Sequence, residues 1–375
     1  MAHRRGIIGG LPLAAIPGAA FAQSQPQATA PARPAMAILP EGAVADGQSH
    51  PLSERFRSLE AARAVFPKAE ALTDEIDWCA LQAAIDRADA QGGGVVHVPN
   101  GGRGYVLNRG LIVNPNKVTM RGDGSLLDFR RLPAGGRALW FKADGAPQYG
   151  HDRHVFEGFE LQGPGRDAEH RAGVFFRTET VALSTRVQMR DCVVRGFWDA
   201  LLFGNRAYLI SFAHCSFYEC RFVVTAPYGL EDAGENVSFH QCALFNSYCL
   251  IANMAGMLLR FIACSLDYSD RIVWDNNGQI DFVTCHVEIA PPREPPFHNG
   301  TGRIDFQGGM FLISGRQEPR VPGLFAFNTA TEVHMIGLRG WNWRTTTGRL
   351  ASGPGKIIYY GGTPMETAPP GWDHP

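Results

Sequence analysis

The stretch Val187-x-Met189-x-x-Cys192-x-Val194 begins a pattern that the chain repeats five more times. In each copy apolar residues alternate, pause for two positions, and alternate again. The Cys position recurs every 21 to 27 residues, and Gly309 occupies it in the last copy. The later copies are Ile210-x-Phe212-x-x-Cys215-x-Phe217, Val237-x-Phe239-x-x-Cys242-x-Leu244, Leu259-x-Phe261-x-x-Cys264-x-Leu266, Ile280-x-Phe282-x-x-Cys285-x-Val287 and Ile304-x-Phe306-x-x-Gly309-x-Phe311. A period of this length is typical of stacked units that cannot bury their apolar faces alone.

Each repeat contains three short strands. Alternation with a period of two sends every second side chain to one face, so the pattern predicts two strands joined by a tight bend. A third apolar run follows in most copies, as at residues 200–203 and 272–275. This leaves no room for a helix, and the Leu-x-x-Leu-x-Leu pattern of leucine-rich repeats is absent. The sequence therefore predicts an all-β fold, a right-handed parallel β-helix of roughly nine to eleven coils.

The cysteines of the repeat are predicted to form a stack inside the core. Cys behaves as a small apolar residue, and equivalent positions of successive coils lie one strand spacing, ~4.8 Å, apart. Disulfides between neighbouring coils stay open as an alternative, because stacked Cα atoms fall within bridging range. The stack would contain Cys192, Cys215, Cys242, Cys264 and Cys285.

The composition and the N-terminus indicate an exported protein. Residues 1–5 are basic, residues 6–19 are mildly apolar, and Ala20-Phe21-Ala22 is a small-x-small cleavage site, so residues 1–22 are predicted to be a signal peptide. Arg4-Arg5 suggests the twin-arginine route, and we expect a periplasmic or extracellular bacterial protein. No other stretch could span a membrane. With a net charge of -1 and no basic stripe, we expect no nucleic-acid partner, while an acidic polymer stays open.

The residues between the signal and the repeats divide into a linker and a helical cap. Residues 23–50, which begin with a Gln/Ala/Pro-rich run, are predicted to be a disordered linker. A short helix is predicted within residues 51–66, with Phe56, Leu59 and Val65 as its apolar residues. Thr73 is the predicted N-cap of a second helix that ends near Ala90, with apolar residues at 78, 81, 84, 85 and 88 on one face. Residues 51–375 would then form one β-helix domain with a helical cap at 51–90.

The run ALQAAIDRADAQGGGVVHVPNGG (residues 80–102), followed by LIVNPNKVTMRGDGS (111–125), resembles the N-terminal signature of the pectate-lyase-like superfamily. It is most similar to the rhamnogalacturonase/epimerase-like branch, which includes phage tailspike depolymerases. The resemblance implies a pectin-lyase-like β-helix whose open end is covered by the helix. It also implies a secreted or virion-borne protein that acts on polysaccharide as hydrolase or lyase, with a homotrimer as the tailspike habit. The polygalacturonase signatures Asn-Thr-Asp, Asp-Asp, Gly-His-Gly and Arg-Ile-Lys are absent, so no catalytic residue carries over by motif.

The register of the coils supplies candidates instead, because equivalent positions stack. Asp267 and Glu288 both stand three residues after the Cys position of adjacent coils, in a column with Tyr218 and Phe245. Arg260, Asp281 and Asp305 form another column, four residues before that position. Glycoside hydrolysis needs two carboxyl groups, about 5–5.5 Å apart for retention of configuration and about 6.5–9.5 Å for inversion. Adjacent coils can provide such spacings.

These considerations predict an exported enzyme that cleaves glycosidic bonds in a polysaccharide, a hydrolase in preference to a lyase. The acid and base would come from the carboxyl pool of Asp267, Asp270, Asp275 and Glu288. The substrate would be bound by Arg260, Tyr268, Arg271, Trp274 and His286. A hydrolase would need no cofactor, whereas a lyase could use Ca²⁺ held by clustered carboxylates, with Arg271 as the base. The alternative class is a non-catalytic carbohydrate-binding or structural β-helix.

Overall fold

The computed structural model describes residues 38–144, 154–178, 186–289, 294–313, 323–341 and 351–361. The predicted signal peptide and the first part of the predicted linker lie outside these ranges. Across the ranges that are described, no helix is both long enough and apolar enough to cross a membrane.

The strands pair in parallel and stack into three columns, which wind for about nine turns. The first and second columns belong to one sheet of 19 strands, and the third column is a separate sheet of 10 strands. The connection between two parallel strands of one sheet is right-handed in nearly all proteins. The predicted right-handed parallel β-helix is confirmed.

The first column consists of Gly94–Val98, Val118–Asp128, His154–Gln162, Val187–Arg190, Ser211–Ala213, Val237–His240, Leu258–Ile262, Gln279–Val283, Arg303–Gln307, Glu332–Ile336 and Lys356–Tyr360. The second column consists of Tyr105–Val106, the C-terminal parts of Val118–Asp128 and His154–Gln162, and then Val193–Arg195, Ser216–Tyr218, Ala243–Phe245, Ser265–Asp267, His286–Ile289, Met310–Ile313 and Arg339–Trp341. The third column consists of Leu111–Val113, Arg137–Phe141, Ala172–Phe176, Asp199–Phe203, Phe222–Ala226, Cys249–Asn253, Arg271–Asn276, Phe297–Asn299, Phe325–Phe327 and Ala351–Ser352.

The bend between the first and second columns is made by one residue in the left-handed conformation. The residue before each repeat Cys has a φ between 51° and 54°, although none of the five is glycine. These residues are Asp191, His214, Gln241, Ala263 and Thr284. In the last repeat the bend falls on Gly308 and Gly309, with φ 65° and 87°. A Cβ at position 309 would lie 2.2 Å from the carbonyl oxygen of Cys285, so only glycine fits there.

Phenylalanine rings from the first column form a ladder through the core. The centroids of successive rings lie 4.5, 4.5, 5.4 and 4.9 Å apart, with the planes nearly parallel. The ladder consists of Phe212, Phe239, Phe261, Phe282 and Phe306, each no more than 1% exposed. Rings at these separations attract each other in addition to burying apolar area.

The predicted cysteine stack lies inside the core, and all eight cysteines of the chain are free and buried. Four of the five thiols of the stack lie near a carbonyl of the preceding coil, as at Cys264, whose Sγ is 3.4 Å from the Phe239 oxygen, whereas the Cys242 Sγ lies 3.5 Å from the His240 oxygen of its own coil. The Sγ of Cys285 is 3.3 Å from the Phe261 oxygen. The thiols therefore act as weak donors within the core and form no disulfides.

A ladder of asparagine side chains runs along the C-terminal ends of the third-column strands. Asn253, Asn276 and Asn299 are fully buried, and each of the first two side chains is joined to the next by a bond of 2.9 Å. The ladder continues from Asn299 to the Thr331 hydroxyl at 2.8 Å. These bonds satisfy amide groups whose burial would otherwise cost stability.

The N-terminal cap differs in detail from the sequence prediction. The first predicted helix is divided into a 3-10 turn, Leu52–Glu54, and a helix, Leu59–Val65, and Val65 is 56% exposed rather than packed. The second helix is Ile76–Ala90, with Glu75 at its N-cap position, so the prediction of Thr73 was wrong. Its predicted apolar face is buried against the first coil, as expected for a cap.

Part of the predicted linker belongs to the folded domain. Ile38 forms a parallel bridge with Val96 of the first strand. The buried Asp77 carboxylate accepts the backbone N–H groups of Val44 at 2.6 Å and Ala45 at 3.2 Å. The boundary predicted at residue 50 is thus placed too late, because residues 38–50 pack against the cap helix and the first coil.

We expect the substitution Phe261→Ala to lower the free energy of unfolding by about 3–5 kcal/mol, because it removes the central ring of the ladder and leaves a cavity. The control Ile336→Ala removes a side chain that is 44% exposed, and its effect should stay within about 0.5 kcal/mol. Denaturant unfolding followed by circular dichroism measures both. Equal effects of the two substitutions would contradict the ladder's role.

Candidate functional site

The outward face of the second column brings Asp267, His286 and Glu288 together. Asp267 pairs in register with Glu288, and Ser265 pairs with His286. The intervening Leu266 and Val287 point into the core, so alternation sends the polar side chains outward. One ligand atom from each of the three residues lies within 4.8 Å of the others. We call these three residues and the adjoining Tyr268 the carboxylate cluster.

The surroundings of Asp267 favour its protonated form. The pKa of Asp267 is raised, chiefly because the side chain is half-buried, and the charge of Glu288 adds to the effect. The Ser265 hydroxyl donates to Oδ2 at 2.6 Å and opposes the shift. The other oxygen, Oδ1, is buried and has no hydrogen-bond partner among the described residues. A carboxyl group in this state can donate a proton to a bound acceptor.

Glu288 and His286 complete the cluster. The exposed Tyr268, at a corner with φ 48°, donates a hydrogen bond to Glu288, and this bond raises the pKa of the Tyr268 hydroxyl. His286 Nε2 lies 4.0 Å from a Glu288 oxygen and is buried, and it has no hydrogen-bond partner in the part of the chain that the structure describes. The cluster therefore combines a carboxyl group whose pKa is raised, a second carboxyl group and an imidazole ring beside them.

The cluster also has the composition of a possible metal site. Two carboxylates and one imidazole suit ions such as Zn²⁺ or Mn²⁺. Calcium prefers a shell made of oxygen atoms, so this set fits it less well. The Ca²⁺ considered for a lyase therefore stays a prediction without a matching ligand set at this cluster.

Two stacked aromatic rings adjoin the cluster on the preceding coils. Tyr218 and Phe245 are the register partners that precede Asp267 in the same outward row. Their rings stack with centroids 4.8 Å apart and an angle of 15° between planes. Both residues belong to the column that the sequence predicts, but neither is among the predicted binding residues. Their aromatic character next to the carboxyl pair was the available signal.

The structure places Arg260 on another column. Arg260 belongs to the first column and contacts Asp281, with Nη2 3.1 Å from the carboxylate oxygen. The predicted column of Arg260, Asp281 and Asp305 exists as a register row, but it is separated from Asp267 by the bend. Asp270 is exposed at the corner that leads into the third column, outside the cluster.

The other predicted site residues lie on the third column. Arg271 stacks on Trp274, 3.9 Å from the ring centroid, and forms an ion pair with Glu294. Asp275 has a φ of 48° and accepts a hydrogen bond from Tyr228. The site predicted from the sequence is thus divided among three faces, and only Asp267, Tyr268, His286 and Glu288 come together.

Comparison with known proteins identifies the fold. No protein-family model matches the chain, and no curated protein matches it in sequence. Among solved structures it is similar to ORF18 of Geobacillus virus E2, with a TM-score of 0.50 and 14% identity over 75% of this chain and 57% of that one. It is also similar to the tailspike gp49 of Pseudomonas phage LKA1, with a TM-score of 0.46 and 15% identity over 87% and 79% of the two chains. The A-module of the Azotobacter vinelandii mannuronan C-5 epimerase AlgE6 gives a TM-score of 0.39 and 12% identity over 74% and 94%.

These likenesses concern the fold. The likeness to ORF18 fits the parallel β-helix formed by the observed columns. The chain spans little more than half of the viral ORF18 protein, so that protein's properties as a whole are not transferred to it.

We expect Asp267→Asn to change how stability depends on pH. Because the pKa of Asp267 is raised in the folded state, the folded protein binds more protons than the unfolded chain, and stability falls as pH rises above the unfolded value of about 4. The Asn variant lacks this loss, so its melting temperature should rise relative to that of the wild type as the pH increases from about 4. Asp270→Asn, which removes the same charge from an exposed corner, is the control. Parallel melting curves for wild type and Asp267→Asn would contradict the assignment.

Proposed function

We propose that the protein cleaves glycosidic bonds in a polysaccharide, with Asp267 and Glu288 as its two catalytic carboxyl groups. The observation that carries the proposal is that these carboxyls lie in register on adjacent coils, with the pKa of Asp267 raised. Two carboxyl groups in different protonation states are the basic requirement of glycoside hydrolysis. Fold alone does not set function, so the argument depends on the cluster.

The spacing favours a reaction that retains configuration. The nearest ligand atoms of Asp267 and Glu288 lie within 4.8 Å, whereas inverting enzymes hold their carboxyls about 6.5–9.5 Å apart to admit a water molecule. Protonated Asp267 would donate its proton to the glycosidic oxygen as that bond breaks. Glu288 would attack the anomeric carbon and form a glycosyl ester. Asp267, now ionised, would then take a proton from the water that hydrolyses the ester.

The neighbouring groups have roles that follow from their positions. Tyr268 donates to Glu288 and would hold the nucleophile in place until attack. The stacked rings of Tyr218 and Phe245 offer an apolar platform for a sugar ring beside the carboxyls. His286, whose ring is partly exposed beside Glu288, would donate to or accept from a sugar hydroxyl.

The first test is cleavage of a panel of acidic and neutral polysaccharides by the purified protein, with calcium or with a chelator. We expect new reducing ends without the ultraviolet absorbance of unsaturated products. Absorbance that disappears with the chelator would identify a calcium-dependent lyase and would exclude the hydrolytic mechanism. An epimerised but uncleaved product would also exclude it.

We expect Asp267→Asn and Glu288→Gln each to lower kcat by roughly 10²- to 10⁴-fold, the usual contribution of a general acid or base. Asp270→Asn and Asp275→Asn serve as matched controls, since both acids lie outside the cluster, and they should retain kcat. Because Asp267 must be protonated, activity should fall as pH rises through its raised pKa. A loss that is equal for all four substitutions would contradict the assignment.

A second candidate function is carbohydrate binding without catalysis. The Tyr218–Phe245 stack favours it, because an aromatic platform binds sugar whether or not a bond is cleaved. Binding to one polymer, weakened by Tyr218→Ala, together with no cleavage of any polymer, would establish this alternative.

Export and the homotrimer implied by the tailspike resemblance are part of the proposal, and light scattering of the mature protein from Gln23 onward tests the trimer.

A further inference from the structure

The third column carries two groups of aromatic rings along the helix axis, and no ring contact joins the two groups within the described residues. A pair of rings lies on the strands Arg137–Phe141 and Ala172–Phe176, and a group of four follows the strands from Asp199–Phe203 to Arg271–Asn276. Phe175 of the pair is only 4% exposed, whereas the other five rings are partly exposed. Neighbouring centroids lie 5.6 Å apart for Trp140–Phe175, 6.1 Å for Trp198–Phe222, 6.0 Å for Phe222–Tyr248 and 6.3 Å for Tyr248–Trp274. We call these six rings the aromatic stripe; its members are Trp140, Phe175, Trp198, Phe222, Tyr248 and Trp274.

Two guanidinium groups lie against the stripe without an acidic partner. Arg137 is 4.2 Å from the centroid of Phe175, and Arg221 lies between Trp198 and Tyr248 at 4.6 and 4.7 Å. Each has a buried Nε without a hydrogen-bond partner, and neither forms an ion pair within the described part of the chain. Burial, together with the charge of Arg177, lowers the pKa of Arg137. Buried cationic N–H groups without acceptors are costly, and a bound anion would satisfy them.

A cleft of about 380 Å³ opens in the same surface. Asp199 lines it and is only 8% exposed, and the Thr225 hydroxyl donates to its carboxylate at 2.6 Å. Burial raises the pKa of Asp199 to about 6. The polar and aromatic residues of the cleft are Arg137, His170, Trp198, Asp199, Phe222 and Thr225.

We propose that the third column binds an acidic polysaccharide at a second site, separate from the carboxylate cluster. The polymer lies along the aromatic stripe, and one of its sugar residues binds in the cleft. The rings offer apolar faces to sugar rings, and Arg137 and Arg221 pair with the carboxylate or sulfate groups of the chain. Asp199 and Thr225 form hydrogen bonds with sugar hydroxyls in the cleft. The proposal shares its class of ligand with the proposed function but does not depend on catalysis at the cluster.

The same surface chemistry is less suited to single-stranded nucleic acid. Successive bases need ring faces on which to stack, whereas Phe222 meets Trp198 and Tyr248 edge to face, at 62° and 90°. The sequence shows no basic run because the cations come from separate coils and meet only on the folded surface.

The test measures binding of the full chain to polygalacturonate, dextran sulfate, neutral dextran and a dT15 oligonucleotide, by calorimetry and tryptophan fluorescence. We expect binding to an acidic polymer, weaker at high salt, and none to neutral dextran. The two acidic polymers distinguish a carboxylate ligand from a sulfate ligand. Tighter binding of dT15 than of either polymer would overturn the proposal in favour of nucleic acid, and no binding of either acidic polymer would also overturn it.

Substitutions then locate the site. Arg137→Gln and Arg221→Gln should each weaken binding roughly 10- to 100-fold, as expected for lost hydrogen bonds to a charged group. Arg121→Gln, on the first column, is the matched control, since it removes an exposed arginine that pairs with Glu157. Trp198→Phe keeps a ring at the stripe and should retain most affinity while changing the fluorescence response. Melting temperatures identify any variant that fails to fold, and Arg137→Lys, which keeps the charge, then replaces Arg137→Gln.

The outcomes separate this proposal from the catalytic one. Unchanged affinity in both arginine variants would overturn the second site, as would a loss of the same size in Asp267→Asn, which would place binding at the cluster. Binding that depends on Arg137 and Arg221 in a protein that cleaves no polymer would sustain the second site and reject the catalytic proposal alone.

Discussion

Parallel stacking of coils in register, at one strand spacing, is the constraint on which the rest of this structure depends. Because each coil repeats the path of the one before it, like residues lie directly above one another. Inside, this produces the phenylalanine ladder of Phe212 to Phe306, the cysteine stack and the asparagine ladder that begins at Asn253. The rings, thiols and amides of these ladders pack against or hydrogen-bond to groups on adjacent coils, so each coil depends on its neighbours for stability.

The corners show how stacking compensates for local strain. A non-glycine residue in the left-handed conformation costs roughly 1–2 kcal/mol, and the bend before each repeat Cys places one there in five consecutive repeats. The packing and hydrogen bonds of adjacent coils hold these residues in position. At Gly309 the fold tolerates no side chain, because the Cys285 carbonyl lies too close to the backbone.

Stacking also arranges chemistry on the outside. Asp267 and Glu288 would repel each other if both were ionised, yet the register places them side by side. Burial and repulsion then shift Asp267 towards its protonated form, which is the state that acid catalysis requires. On the third column the same stacking collects rings and guanidinium groups from separate coils. The two surfaces differ in character, since one concentrates carboxyl groups and the other concentrates cations on aromatic rings.

The sequence by itself determined the fold, because a period-2 pattern repeated at a near-constant interval is compatible with few architectures. It also placed Asp267 next to Glu288, since counting from the Cys position is equivalent to reading the register. Only the tertiary structure decided which candidates share a face. Arg260, Arg271, Trp274 and Asp275 are close to Asp267 along the chain or in register, but two corners turn the backbone between them. Corner geometry depends on contacts between coils, and so does the burial that raises the pKa of Asp199, a residue without any distinguishing motif. Local sequence sets which side of a strand a residue occupies, whereas the stacked neighbours set what surrounds it.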